Sequence, residues 1–130
     1  MTISAIIVDD SKLSRMVVKR LIAKIKPEWA LYEAAGVDEA LVIMASEDID
    51  IFMLDYNMPV KNGIEIVRMA NIEHSGNSIA IISANIQDEI IAETRKIGAT
   101  FIPKPLTEEN LSSFISGAML RLRKTGKFDN

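Results

Sequence analysis

The chain has 130 residues, of which 48% are hydrophobic and 25% charged, and this fits one globular domain with one core. Its net charge of −3 argues against nucleic-acid binding by general electrostatics, and the absence of cysteine excludes disulfides, thiolate nucleophiles and cysteine-ligated zinc. The N-terminus runs into Asp9 and Asp10 without a basic stretch, so it is not read as a signal peptide, and no apolar run approaches the roughly 20 residues of a membrane span. A soluble cytoplasmic protein without membrane or nucleic-acid partners is expected.

Short apolar runs alternate with amphipathic stretches. Ile3–Val8 predicts the first strand. The first helix carries an apolar stripe of Leu13, Val17, Leu21 and Ile25 with Met16 beside it, and Pro27 blocks its continuation. Trp29–Tyr32 predicts the second strand, anchored by Trp29, and Ala40, Leu41 and Met44 lie on the second helix. Ile51–Leu54 predicts the third strand, followed by a third helix over about 63–69. The polar stretch from Asn71 to Ser78 is read as a loop, and its His74 as solvated.

Ile79–Ile82 predicts the fourth strand, and a fourth helix runs from about Gln87 to Ile97, ended by Gly98. Thr100–Ile102 predicts the fifth strand. The last helix is the clearest, with Leu111, Phe114, Ile115, Ala118, Met119 and Leu122 in one stripe. Thr107 is its N-cap, followed by the helix-start charges Glu108 and Glu109. Arg121, Arg123, Lys124 and Lys127 make the end basic, which suits a helix C-terminus, with a docking surface as the other reading. The methionines read as core filler.

The alternation implies an α/β fold with right-handed crossovers and a doubly wound parallel sheet. Runs apolar almost throughout suit strands covered on both faces. One domain is expected over residues 1–125, with a short tail at 126–130.

In an open parallel sheet, ligands bind at the carboxyl ends of the strands. Asp9 and Asp10 follow the first run, Asp55 and Asn57 the third, Ser83 the fourth and Lys104 the fifth. Each aspartate or serine alone could be a cap or turn residue. Their joint occurrence is not explained by capping, and Lys104 is a poor cap for a helix start.

Two unpaired carboxylates about 4 Å apart repel by roughly 4 kcal/mol at an effective dielectric near 20. That is about three pKa units. Such acids share protons or bind a cation, and oxygen-only ligands point to Mg²⁺, with Mn²⁺ as an alternative. An aspartate can act as a nucleophile toward phosphorus, with Lys104 and Ser83 to hold the other phosphoryl oxygens.

The ordered set Asp9-Asp10-Ser11 with Arg15, Asp55-Tyr56-Asn57-Met58-Pro59 with Gly63, Ser83-Ala84 and Lys104-Pro105 resembles the receiver family of two-component response regulators. The resemblance covers essentially the whole chain and is closest to stand-alone receivers of the chemotaxis type. It implies a flavodoxin-like five-stranded sheet in the order 2-1-3-4-5. By the resemblance, Asp55 accepts a phosphoryl group from a partner histidine kinase or phosphotransfer protein. Asp10, Asp55 and the Asn57 carbonyl ligate Mg²⁺, with Asp9 supporting through water. Lys104 contacts the phosphoryl group. Ser83 and Phe101 stand at the switch positions, and Asn57 and Asn85 tune the lifetime. A downstream target is implied on the face of the fourth helix, fifth strand and fifth helix. The sequence departs from the family at Val37, where a glycine is usual, with Gly36 one place early.

The function so implied is a phosphorylation-dependent switch, not an enzyme beyond its own phosphotransfer and dephosphorylation. A phosphorelay intermediate and a receiver cut from a larger regulator are alternatives; Met1 and the finished last helix favour a complete single-domain protein. A haloacid-dehalogenase-type phosphatase is the remote one. Those enzymes place the nucleophile first, in an Asp-x-Asp motif, whereas here the acidic pair comes first and Asn57 stands two residues after Asp55.

Overall fold

The computed structural model describes residues 2–56, 66–68 and 78–124. In chain order its elements are β1 (Ser4–Val8), α1 (Lys12–Ile25), β2 (Ala30–Ala34), α2 (Val37–Ser46), β3 (Ile51–Asp55), β4 (Ser78–Ser83), α3 (Asp88–Lys96), β5 (Thr100–Pro103) and α4 (Glu108–Lys124). The strands form one five-stranded sheet in the order β2-β1-β3-β4-β5, and every pairing is parallel. Fold class and strand order are those expected. The fourth predicted helix is α3, and the last is α4.

Side chains alternate across a strand, so each strand feeds two cores. Ala5, Ile7, Ile51, Met53, Ala80, Ile82 and Ile102 pack with Val18 and Ile22 of α1 and with the α4 stripe. Ile6, Val8, Phe52, Leu54, Ile79 and Ile81 pack with α2, Ile66 and Val67 on the opposite face. Every residue of β3 and β4 is buried, which is why their sequences are apolar almost throughout.

The apolar stripe read from the sequence of α1 is not the buried one. Val18 and Ile22 are buried and Leu21 and Ile25 pack at the core's margin, while Leu13 is 72% exposed and Met16 and Val17 are also exposed. A helix repeats every 3.6 residues, so a stripe at every fourth position turns by about 40° per step and leaves the core line. Ser11 caps the helix by accepting from the Ser14 N–H at 3.2 Å.

β2 lies later than expected, because its register with β1 runs from Ser4–Ala30 to Val8–Ala34. Trp29 is buried just before the strand. Gly36 is the N-cap of α2, so the early glycine moves the cap one place and puts Val37 into the core as the first helical residue. Of the third predicted helix, residues 66–68 are described and helical. The remainder of it, His74 and most of its loop lie outside the described residues; Ser78, assigned to that loop, opens β4.

Gly98 takes a positive φ of 81° after α3, as its helix-ending role requires. At α4 the Thr107 hydroxyl accepts from the Asn110 N–H at 3.1 Å, and the Asn110 carboxamide oxygen accepts from the Thr107 N–H at 2.9 Å. This is a reciprocal capping box. Among the described residues, no helix is long and apolar enough to cross a membrane.

Candidate functional site

The period of two also decides which side chains meet at the strand tips. Ile7, Met53 and Ile102 face α1 and α4, so Asp9, Asp55 and Lys104, each two residues later, fall on that face. Ser83 is two residues after Ile81 and falls on the other face. Phe101 is the register partner of Ile81 and shares it. The tips are tied together by backbone: Tyr56 N–H donates to the Ile82 carbonyl and Lys104 N–H to the Ser83 carbonyl, both at 2.9 Å.

Asp9, Asp10 and Asp55 come together with carboxylate oxygens within 4.8 Å of one another. Asp55 is 6% exposed, and the Lys104 Nζ lies 3.1 Å from its Oδ1. Burial pushes the Asp9 carboxyl above its ordinary value, and the charges of Asp55 and Asp10 push the same way; the Ser11 N–H and Lys104 oppose them. One ammonium does not neutralise three acids, so the cluster fits a hard cation with oxygen ligands. Asn57, the expected carbonyl ligand, lies outside the described residues.

Ser83 is fully buried, and its Oγ accepts from the Asn85 N–H at 3.0 Å. A hydroxyl keeps its own hydrogen to donate while accepting, so Ser83 can still offer a hydrogen bond. The Asn85 side chain is exposed, and its Oδ1 accepts from the Gln87 N–H at 3.0 Å, shaping the turn into α3. Phe101 is half-buried and lines a cavity of about 410 Å³ between β5 and α4, together with Asn110, Ser113 and Phe114. The Lys104–Pro105 peptide bond is cis.

Two features escape the sequence reading. A cavity of about 480 Å³ opens beside Asp9 and Lys104, with apolar walls from Leu13, Val17, Val18, Ile82 and Leu106. The misread stripe of α1 is thus the rim of the site. Secondly, Arg15 donates from Nη1 to the Asp9 carbonyl at 2.6 Å and from Nε to Glu33 Oε1 at 3.1 Å, while Lys19 Nζ binds Glu33 Oε2 at 3.0 Å. These hydrogen bonds hold the Glu33 carboxyl below its ordinary value, the Lys19 contribution being the larger. Arg15 was noted in the motif, but nothing in a linear pattern pairs it with Glu33.

The chain was also compared with known proteins. A family model described as the response regulator receiver domain matches residues 5–116. A curated relative, the chemotaxis protein CheY homolog of Campylobacter jejuni, is 27% identical over 109 residues, covering 82% of this chain and 84% of that protein. The solved structure of Vibrio cholerae chemotaxis protein CheY4 is 25% identical with a TM-score of 0.79, covering 91% of this chain and 99% of that one. CheY6 from R. sphaeroides, solved in complex with the P1 domain of CheA3, is represented by a match of 28% identity and TM-score 0.75, covering 91% of this chain and 97% of the matched chain.

Proposed function

We propose for this chain, which belongs to the response regulator receiver family of two-component systems, the role of a phosphorylation switch with Asp55 as phosphoryl acceptor. Members of this family are signalling modules and not classical enzymes. The observation that carries the assignment is the Lys104 ammonium 3.1 Å from the Asp55 carboxylate inside a cluster of three acids. In this reading residues 1–125 act as one receiver domain, supported by the burial of Leu122 near the end of α4, with 126–130 as a tail. A cytoplasmic location goes with the reading.

An Asp55 oxygen attacks the phosphorus of a phosphohistidine on the donor. The P–N bond breaks, its electron pair passes to the imidazole nitrogen, which takes up a proton, and an aspartyl phosphate remains. Lys104 holds a phosphoryl oxygen, and Ser83 donates its hydroxyl hydrogen to another. Asp10 and Asp55, with the Asn57 carbonyl, would hold Mg²⁺ (Mn²⁺ also fits the donor set), and Asp9 would support it through water. Bound there, the cation supplies charge neutralisation to the phosphoryl oxygens.

A protein donor is supported by the exposed Leu13 and Val17 beside the site, and by the CheY6 complex with a CheA3 domain. Output passes through the face of α3, β5 and α4, and Asn57 and Asn85 tune the lifetime by guiding the attacking water. The test is a small phosphodonor with Mg²⁺, followed by mapping of the modified residue. The wild type should gain one phosphoryl group and Asp55→Asn none; a stable modification mapped elsewhere overturns the assignment.

A further inference from the structure

We infer that Arg15 is a positioning residue for the metal-binding acids, and that Glu33 aims it. The inference rests on the reading of Asp9, Asp10 and Asp55 as the cation site. Pairing of β1 with β2 ends at Val8–Ala34. Beyond it, the Asp9 N–H still donates to the Ala34 carbonyl at 3.1 Å. The Asp9 carbonyl takes its donor from Arg15 Nη1 at 2.6 Å, across the first turn of α1.

Holding both ends of a residue's backbone fixes the plane of the peptide that follows, here Asp9–Asp10. Asp10 is exposed, so packing does not set the direction of its carboxylate, and the backbone must. Arg15 therefore acts on Asp10 through one peptide bond.

A guanidinium is planar, and two contacts fix its plane. Nη1 is on the Asp9 carbonyl and Nε on Glu33 Oε1, with the Arg15 side chain only 14% exposed. Glu33 is in turn held at its other oxygen by Lys19, whose side chain is 43% exposed. The chain of contacts runs from Lys19 through Glu33 and Arg15 to the Asp9 carbonyl. A lysine at position 15 would offer one ammonium where this arrangement needs two separated donors.

Mg²⁺ affinity is measured by calorimetric titration, beside circular dichroism and thermal melting, for the wild type, Arg15→Ala, Glu33→Ala, the double variant and Lys19→Ala. Groups that orient metal ligands typically contribute 10–100-fold in affinity. Arg15→Ala should weaken Mg²⁺ binding by about tenfold, the lower end of that range. Its phosphorylation rate should recover at saturating Mg²⁺, a split that loss of fold would not give. Glu33→Ala should weaken binding by a smaller factor and add nothing in the Arg15→Ala background, and Lys19→Ala should bind as the wild type.

Should Arg15→Ala fail to fold, Glu33→Ala decides by itself. Folded Arg15→Ala and Glu33→Ala variants that bind Mg²⁺ with wild-type affinity, or effects of the two that simply add, overturn the inference and leave the acceptor site standing. A wild type that binds no Mg²⁺ removes the metal-site reading, and this inference with it.

Discussion

Glu33 and Asp9 are carboxylates on the same face of neighbouring strands, yet their environments push them apart. Asp9 is buried among acids and is raised; Glu33 receives two cationic donors and is lowered. For Glu33 the sign of the linkage is definite. Its folded value lies below the ordinary 4.5, so its contribution to stability is complete above that value and is lost as pH falls through the lower folded value. Melting temperatures of the wild type and Glu33→Gln should therefore differ most above about pH 4.5 and converge on acidification. An offset constant across that range would mean that the charge of Glu33 contributes nothing. Ser83 shows a different tension. Turning its oxygen away from the Asn85 N–H gives up a hydrogen bond worth about 0.5–1.5 kcal/mol. In the proposed switch, donating its hydroxyl hydrogen to a phosphoryl oxygen would offset that loss.

At the scale of elements, α1 shows what a linear pattern can and cannot reveal. Asp9, Asp55, Ser83 and Lys104 are legible because each follows or ends an apolar run, and strand parity does the rest. Glu33 is not, since its role depends on the register of β1 with β2 and on the rotation of α1. Leu13 and Val17 read as core in the sequence because an exposed apolar side chain has the same chemistry as a buried one. Their exposure at the rim of the site gives a prediction. Leu13→Asp and Val17→Asp should slow phosphorylation by a protein donor and leave the rate with a small phosphodonor unchanged. Surface substitutions of this kind usually alter stability by no more than about 0.5 kcal/mol. Equal slowing with both donors would show that α1 serves the chemistry and not the docking. Apart from residues 66–68, the third predicted helix lies outside the described residues, as do Asn57 and His74, so the reading of those residues stays with the sequence.

For the molecule as a whole, the proposed switch would have to carry an event at Asp55 to β5, at an edge of the sheet. A phosphoryl group brings roughly −1.5 to −2 charges into the site. Ser83 and Phe101 share one face of adjacent paired strands, and the proposed switch would carry movement from the first to the second. Allosteric couplings are typically about 1–3 kcal/mol, so the expected response is a shift of populations. Under beryllofluoride, the wild type should show NMR shift changes on α3, β5 and α4. Ser83→Ala should still be modified but show smaller changes there, and Phe101→Ala should uncouple the two more completely. Changes confined to the loops around Asp55 in the wild type would place the output elsewhere. The four strand tips have one more consequence. Asp9 and Asp55 precede Lys104 and the α4 stripe in the chain, and that stripe covers one face of the sheet. A chain cut before β5 would keep the acids without the Lys104 ammonium beside Asp55, and on the proposed reading it would take up no phosphoryl group.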